Sequence, residues 1–592
     1  MRILLYISIS ISSYIFSQCD YDIGDTNNDN IINVIDIINI VNVIISDEYQ
    51  YNEIMDLNQD ELVNIIDITL LVNRIIDEYP LSVDINSVYF DFNSLEISWD
   101  LSSDPQFYSY SIFYNNLLNQ DAILLYQTES ILDTSIVLNN IELNEQNWFW
   151  VIIDDSMGCE LEGQKFYYEL PYLEYSLDSF GNILNTDFQF EHFNSSQNCQ
   201  SCHSSQYQEW TESMHAYTMH NPIFFSYKNE TLQNHPDVGE KFCMQCHSPV
   251  AYLAGIETSN YSSVEEFQNS SLPSVVKEGV GCDICHTATG VSQTVFTDDS
   301  GSASAIYKLY PGENIKFGPI LNPESNSYHE SYYLPTYQSS QMCLPCHDLV
   351  VRDVEAEITF TEWDRIPGFS MFDGVSCQEC HMPEKDDGTH DHSFIGVDID
   401  LSIPYSENNS YNKVIDMLSS ALTINFDILD DSLVDTISSG ETLLIPIAIE
   451  SLTGHSIPSG TSFNREAWLE LIVTNNDSIL YSVGYLENNI SSLNYDDDLL
   501  LFKSFLLDQN NENTNSVIET HAIINNSLPA YSQRYKYYDV QIPQNIEGEI
   551  NVHARMLFRP FDPQFIIQHH VEFLDNLPIY EMFEISKTII IN

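Results

Sequence analysis

The stretch EGVGCDICHTATG, from Glu278 to Gly290, holds two cysteines that are separated by two residues and followed at once by a histidine. Taken alone, this spacing is compatible with half of a zinc site, a redox-active dithiol, part of a disulfide framework or another kind of attachment. Because these chemistries require different numbers of such units, the remaining cysteines of the chain decide among them.

Ten of the twelve cysteines fall in five copies of this pattern, numbered here as motifs 1 to 5 along the chain. Zinc sites combine such pairs two at a time, and neither zinc, a dithiol nor a disulfide framework requires a histidine after each pair. C-x-x-C-H is the attachment motif of c-type haem, in which both thiols bond the haem vinyl groups and the histidine is the proximal iron ligand. The sequence therefore predicts five haem c groups. The predicted anchors and proximal ligands are Cys199, Cys202 and His203; Cys243, Cys246 and His247; Cys282, Cys285 and His286; Cys343, Cys346 and His347; and Cys377, Cys380 and His381.

The region around these motifs resembles the multihaem c-type cytochromes, especially those related to the tetrahaem cytochrome that serves hydroxylamine oxidoreductase. The resemblance covers roughly residues 186–592 and includes YQEWTESMHAYTMHNPIF after motif 1 and TGHSIPSG, Thr453 to Gly460. EGVGCDICH and DGVSCQECHMP also resemble each other, which is consistent with a repeated haem-packing unit. We expect a mostly irregular and α-helical pentahaem domain over residues 186–415, in which the haem groups supply much of the core.

The second axial ligand of each iron decides what a haem can do, because an iron with two protein ligands transfers electrons and an open one can bind substrate. The distal candidates are His215, His220, His329, His392 and His455. This supply favours an electron carrier with mainly bis-histidine, low-spin haems. The alternative is a haem oxidoreductase acting on small nitrogen or sulfur compounds such as nitrite or hydroxylamine. The pentahaem nitrite reductases, which share only the haem count, use C-x-x-C-K at the catalytic haem, whereas all five motifs here end in histidine.

Residues 19–80 contain an internal repeat, GDTNNDNIINVIDIINIVNVII from Gly24 and MDLNQDELVNIIDITLLVNRII from Met55. Each copy places Asp and Asn oxygens at positions 1, 3, 5, 9 and 12 of a loop, as calcium requires, although position 6 is Asn30 or Glu61 instead of glycine. Two calcium sites are predicted, and the repeat resembles a dockerin, which implies anchoring to a cohesin-like partner. The predicted ligands are Asp25, Asn27, Asp29, Asn33 and Asp36, and Asp56, Asn58, Asp60, Asn64 and Asp67.

Two further regions have β-patterns. Residues 81–172 alternate apolar and polar side chains, as in SLEISWDL, and resemble a fibronectin type III sandwich. Strand patterns return over residues 416–592 and predict a second sandwich. The expected fold class is therefore multidomain: a small α calcium-loop domain, a β-sandwich, a mostly irregular and α-helical multihaem domain, and a C-terminal β-sandwich.

The N-terminus and the charge restrict location and partners. Residues 1–18 have the short basic and apolar regions of a signal peptide, which predicts export to the periplasm, cell surface or exterior. Cys19 could be lipidated, or could pair with Cys159. No later apolar run predicts a membrane span. With 88 acidic and 19 basic residues the net charge is −69, which excludes nucleic-acid binding. This charge is typical of a salt-adapted or very soluble surface, and equally of a protein whose redox partner has a basic docking surface.

Overall fold

The computed structural model describes residues 18–19, 23–29, 31–46, 51–77, 82–116, 122–156, 159–177, 183–236, 239–293, 302–303, 305–351, 353–367, 374–476, 478–486, 488, 491–495 and 497–592. Of the predicted signal peptide, only Gln18 is among the described residues. Asn30, at position 6 of the first predicted calcium loop, also lies outside them. Contacts within the chain define two compact units, Met1–Pro171 and Tyr172–Asn592.

The acidic repeat of the first unit forms two loop–helix segments with helices Val34–Ile45 and Ile65–Asp77, and a 3-10 turn at Glu53–Met55. The first helix begins with a reciprocal cap, because Ile35 N donates to the Asn33 side chain and Asn33 N donates to the Asp36 carboxylate, both at 2.8 Å. Asn64 and Asp67 make the same pair of bonds at the second helix. The helices pack through a small core that consists of Ile40, Met55, Leu57, Val63 and Leu71.

The rest of the first unit consists of antiparallel strands. Alternation in Ser94–Trp99 buries Leu95, Ile97 and Trp99, and Trp99 meets Tyr110 edge to face at 5.8 Å. One sheet has the strand order Gln18–Cys19, Cys159–Glu162, Gln146–Asp155, Phe107–Asn115, Ile123–Thr128. Strand Phe166–Glu169 also pairs with Gln146–Asp155. The other sheet has the order Ile85–Phe90, Ser94–Trp99, Ser135–Asn139. In the backbone register Cys19 lies opposite Cys159.

The second unit begins with short helices, 3-10 turns and small sheets. The helices are Ser196–Cys199, Ser204–Thr211, Met214–Tyr217, Pro222–Asn234, Gly239–His247, Pro249–Leu253, Val264–Gln268, Ser274–Lys277, Cys282–His286, Leu344–His347, Thr359–Asp364 and Cys377–His381, and the 3-10 turns are Phe190–His192, Pro335–Gln338 and Ser340–Cys343. The two-stranded sheets pair Tyr175–Leu177 with Ile183–Thr186, Ala288–Gln293 with Ala305–Leu309, and Ile315–Gly318 with Glu330–Tyr333. A three-stranded sheet has the order Ser302–Ala303, Leu349–Val351, Val354–Glu357.

The C-terminal part of this unit is dominated by long β-strands. Its sheets bury Ile445, Ile447 and Ile449 together with Leu469 and Leu471 in one apolar core. The main sheet has the strand order Thr436–Ile437, Tyr580–Ile591, Glu549–Arg559, Glu466–Asn475, Ser478–Val483. Strand Leu501–Phe502 also pairs with Glu466–Asn475. A second sheet has the order Leu422–Asn425, Thr442–Ser451, Gln533–Gln541. Smaller pairings join Asp427–Ile428 to Asp431–Ser432, and Ser504–Leu507 to Asn513–Thr514 and Ala522–Asn525. The helices here are Tyr411–Ser419 and Pro563–His569, with 3-10 turns Tyr405–Glu407, Val517–Glu519 and Val571–Asn576.

The short-helix region and the C-terminal sheets share side-chain contacts within the second unit. Tyr227 stacks on Phe565 with ring centroids 4.8 Å apart, and Ser226 Oγ lies 2.7 Å from His570 Nε2. The coarse expectation of a multidomain chain, in which a mostly irregular and helical region stands among β-sheets, is confirmed.

Candidate haem-binding site

Helical turns hold the cysteine motifs in the second unit. Motifs 3 and 5 form the helices Cys282–His286 and Cys377–His381, and motif 2 ends the helix Gly239–His247. In a helical turn, residues three and four apart lie on the same face. The two thiols and the histidine of a motif can therefore address one planar group, as thioether attachment requires. None of the ten motif cysteines forms a disulfide.

Four of the five proximal imidazoles face a second imidazole. With a metal–nitrogen distance of about 2.0 Å and about 1.1 Å from that nitrogen to the ring centre, two imidazoles on opposite sides of one iron have centroids about 6.2 Å apart. The observed spacing fits an iron between the rings. The centroid separations are 6.3 Å for His203 and His329, 6.3 Å for His286 and His392, 6.3 Å for His381 and His455, and 6.2 Å for His347 and His215.

Backbone carbonyls orient several of these rings. His286 Nδ1 donates to the carbonyl of Phe317 at 2.8 Å, and His381 Nδ1 donates to that of Ile395 at 2.7 Å. On the opposite side, His392 Nδ1 is bonded in the same way at 2.8 Å. Such a bond fixes the tautomer, so that Nε2 is the nitrogen left to bind metal.

Burial keeps the imidazoles in the neutral, ligating form. Desolvation lowers the pKa of His215 to about 3 and the pKa of His286 to about 4. Because a metal binds the unprotonated nitrogen, these rings need no deprotonation at neutral pH before they bind iron.

Motif 2 departs from this arrangement. The ring of His247 stacks on Phe224 with centroids 4.0 Å apart and planes 8° apart, and across the described ranges no imidazole faces it. Its Nδ1 is buried and, as far as the described residues go, lacks a hydrogen-bond partner. His220, the fifth distal candidate, is exposed, and in the described part of the chain it faces no proximal imidazole. The described residues therefore supply one imidazole at motif 2 rather than two.

Thiol contacts between motifs reveal their spatial order. The thiol of Cys199 in motif 1 lies beside that of Cys282 in motif 3, and the thiol of Cys343 in motif 4 lies beside that of Cys377 in motif 5. Burial, with a smaller effect of the nearby Cys346, raises the pKa of the motif 3 thiol Cys285 to about 12.

The remaining contacts complete this order. The thiol of Cys246 in motif 2 lies beside that of Cys346 in motif 4. Phe394 contacts both His392 and His215, which face motifs 3 and 4, with centroids 5.8 and 4.4 Å away. The motifs are thus neighbours in the order 1, 3, 4 and 5, with motif 2 beside motif 4.

Motif pairs 1/3 and 4/5 are built alike. The amide of Cys282 donates to Ser196 Oγ at 3.0 Å, and the amide of Cys377 donates to Ser340 Oγ at 2.9 Å. Each serine lies in the same position of a recurring sequence, SSQNCQSCH from Ser195 and SSQMCLPCH from Ser339. Our sequence reasoning missed these serines, although this second repeat, alongside EGVGC and DGVSC, was available to find them.

Gly279 positions motif 3 against the segment that carries His215. Its φ is +81°, and a Cβ there would lie 2.2 Å from Thr218 Oγ1 and 2.6 Å from the His215 carbonyl oxygen. The following amide, Val280 N, donates to that carbonyl at 3.1 Å. A residue without a side chain is therefore required for this approach.

The two acidic loops of the first unit have matching hydrogen bonds. Asp29 N donates to Asp25 Oδ1 and Asp60 N donates to Asp56 Oδ1, both at 3.2 Å. The position 12 carboxylates, Asp36 and Asp67, are fully buried. Among the residues that the structure describes, no group of three or more His, Cys, Asp or Glu side chains is spaced to hold a metal ion. Glu61, at position 6, has the left-handed φ of +66° expected there.

Comparison with known proteins agrees with the motif chemistry. The family described as Cytochrome c554 and c-prime matches residues 198–287. A penta-heme cytochrome c552 from Thermochromatium tepidum is 18% identical over 67% of this chain and 99% of its own, with a TM-score of 0.48. The fibronectin type-III domain of human fibronectin type III domain containing protein 3 is 16% identical over 15% of this chain and 84% of its own, with a TM-score of 0.13. The curated proteins contain no match.

The class of protein follows from the attachment motifs and the family match. Together they support a multihaem c-type cytochrome that binds haem covalently and transfers electrons with redox partners. None of the described helices has both the length and the apolar composition needed to cross a membrane.

Proposed function

We propose that this chain is an exported pentahaem electron carrier in which four haems have two histidine ligands. The observation that supports this most directly is the set of four imidazole pairs at 6.2–6.3 Å. When bound, haem c supplies reversible one-electron transfer. The thiols of the five motifs would hold it, with the motif histidines as proximal ligands. The second ligands would be His329 for motif 1, His392 for motif 3, His215 for motif 4 and His455 for motif 5.

The chain itself would hold these ligands rigid. The carbonyl bonds to His286, His381 and His392 prevent ring rotation, and rigid ligands keep the reorganisation that accompanies a charge change small. Cysteines of neighbouring motifs lie close together, so consecutive attachment sites adjoin one another. Contiguous sites of the same ligand type suit a carrier better than a catalyst.

Motif 2 favours a second candidate function, a haem oxidoreductase acting on a small nitrogen or sulfur compound. One imidazole at this site would leave the opposite iron position to a small ligand. Phe224 packs the proximal ring, and the unbonded Nδ1 of His247 makes that ring a weaker donor than one hydrogen-bonded to an acceptor. Turnover of nitrite or hydroxylamine would identify this activity.

The holoprotein is expected to contain four low-spin haems and one high-spin haem. The full chain, produced with a haem maturation system, would be examined by electron paramagnetic resonance and titrated with cyanide, and we expect one equivalent to bind. Five low-spin haems would contradict an open position at motif 2. High-spin signals from several haems would contradict the four-pair assignment and the carrier function.

We further propose that the repeats of the first unit bind two calcium ions and anchor the protein to a cohesin-like partner. The matching hydrogen bonds of the two loops support calcium binding. Anchoring to a partner is supported by exposed apolar side chains that recur at equivalent positions of the two repeats, because exposed apolar side chains of this kind favour a protein partner. They are Ile31, Val34 and Ile35 in the first repeat and Leu62, Ile65 and Ile66 in the second.

Calcium titration of the full chain by calorimetry is expected to show uptake of two equivalents, which Asp36→Ala/Asp67→Ala abolishes. Each substitution removes the carboxylate at position 12, which supplies the bidentate ligand of such loops. Asp430→Ala/Glu547→Ala removes the same charge from exposed positions of the second unit and is the matched control. Equal calcium uptake by both double variants would refute the assignment.

A further inference from the structure

The loop of residues 319–329 joins two parallel strands, Ile315–Gly318 and Glu330–Tyr333, and ends at His329. Phe317 in the first strand accepts the hydrogen bond of His286, the proximal histidine of motif 3. His329 faces His203 of motif 1. One short segment therefore supports motif 3 and supplies the imidazole opposite motif 1.

Motif 1 lies at the surface of the second unit. Cys202 and His203 are exposed, whereas the cysteines of motifs 3 and 4 are only partly exposed. On the loop beside it, Ile320, Leu321 and Tyr328 are 59%, 64% and 76% exposed. Exposed apolar side chains that gather on one loop mark a candidate interaction site.

The same segment also carries carboxylates. Glu313, Glu324 and Glu330 are exposed on the same segment. The one lysine between them, Lys316, has its ammonium 2.9 Å from the carboxylate of Asp283. The segment is therefore acidic, and its lysine is already neutralised by Asp283.

We propose that Ile320, Leu321 and Tyr328, with the carboxylates Glu313, Glu324 and Glu330, form the docking surface for a redox protein whose contact patch is apolar and ringed by lysines. We call this the motif 1 surface. An apolar centre with a charged rim is the usual composition of a transient protein interface, and opposite charge accelerates encounter. A second copy of this chain, with a net charge of −69, would be repelled.

This inference rests on the proposed carrier function. In the exchange, one electron leaves the reduced partner, which is thereby oxidised, and this chain is reduced by that electron. No atom or proton needs to be transferred. The reverse direction has the same balance and would use the same surface.

The test compares Ile320→Ser/Leu321→Ser/Tyr328→Ser with the control Leu429→Ser/Ile479→Ser/Tyr531→Ser, which makes the same replacements at exposed positions of the C-terminal part of the second unit. Each oxidised holoprotein is mixed in a stopped-flow instrument with a reduced, basic monohaem cytochrome c, and separately with dithionite. We expect the second-order rate constant with the basic cytochrome to fall about tenfold in the first variant and to be unchanged in the control. Rates with dithionite should be equal in all proteins.

A second variant tests the charge of the motif 1 surface. Glu313→Gln/Glu324→Gln/Glu330→Gln should flatten the dependence of the rate on ionic strength. Unchanged rates in both motif 1 surface variants would overturn the docking proposal. Loss of a haem, or of the low-spin signal, in the serine variant would also overturn it, because that result would mean that the three apolar side chains pack on the haem. If dithionite fails to reduce the wild-type holoprotein, the carrier function itself is wrong.

Discussion

Cys282→Ser/Cys285→Ser is expected to lower the haem content of the purified protein from five to four and to destabilise the second unit more than the equivalent change in motif 1. Motif 3 has neighbours on both sides, since Cys282 contacts Cys199 of motif 1 and Cys285 lies near Cys346 of motif 4. Without thioethers a haem is held by iron ligands alone and is readily lost. Its departure would leave a cavity among buried side chains, which is destabilising.

The surroundings of motif 3 indicate why this loss should spread. Asp283 is buried, accepts a hydrogen bond from Asn194 N at 2.7 Å and pairs with Lys316 at 2.9 Å. It therefore joins motif 3 to the segment before motif 1 and to the strand before the motif 1 surface.

Haem content would be measured by the pyridine haemochrome assay and intact mass. The control is Cys19→Ser/Cys159→Ser, which removes the two cysteines outside the motifs and should leave five haems. Retention of five haems by the motif 3 variant would refute covalent attachment there.

His392→Ala is expected to convert one low-spin haem into a high-spin haem that binds added imidazole. The ring of His392 faces His286 at 6.3 Å, and its Nδ1 is held by the carbonyl of His390. Removal leaves one protein ligand and should change the reduction potential of that haem by on the order of 100 mV, because axial ligands are the strongest determinant of haem potential.

His220→Ala is the matched control, because the same residue type at an exposed position faces no proximal imidazole among the described residues. Spin state would be followed by electron paramagnetic resonance and potential by spectroelectrochemistry. Rescue of the low-spin signal by imidazole would separate ligand loss from misfolding. A high-spin signal in the His220 variant, or an unchanged spectrum in the His392 variant, would contradict the ligand assignment.

Which proximal imidazole each of the five distal candidates faces depends on its place in the fold rather than on its place in the chain. His215 follows motif 1 in sequence but faces His347 of motif 4, and His392 follows motif 5 but faces His286 of motif 3. No local pattern encodes such pairings, because they depend on how the segments pack. For the same reason, sequence reasoning could not separate His220 from the four candidates that face a proximal imidazole.

The sequence by itself determined the chemistry that depends on near neighbours in the chain. The Cys, Cys and His of one motif share a helical turn, and the Asp and Asn side chains of one loop lie within twelve residues, so both predictions could be made from spacing alone. Only the tertiary structure decided the order of the motifs, the pairing of the imidazoles and the single imidazole at motif 2. Those properties require contacts between residues far apart in sequence, and such contacts are made by packing of the whole unit.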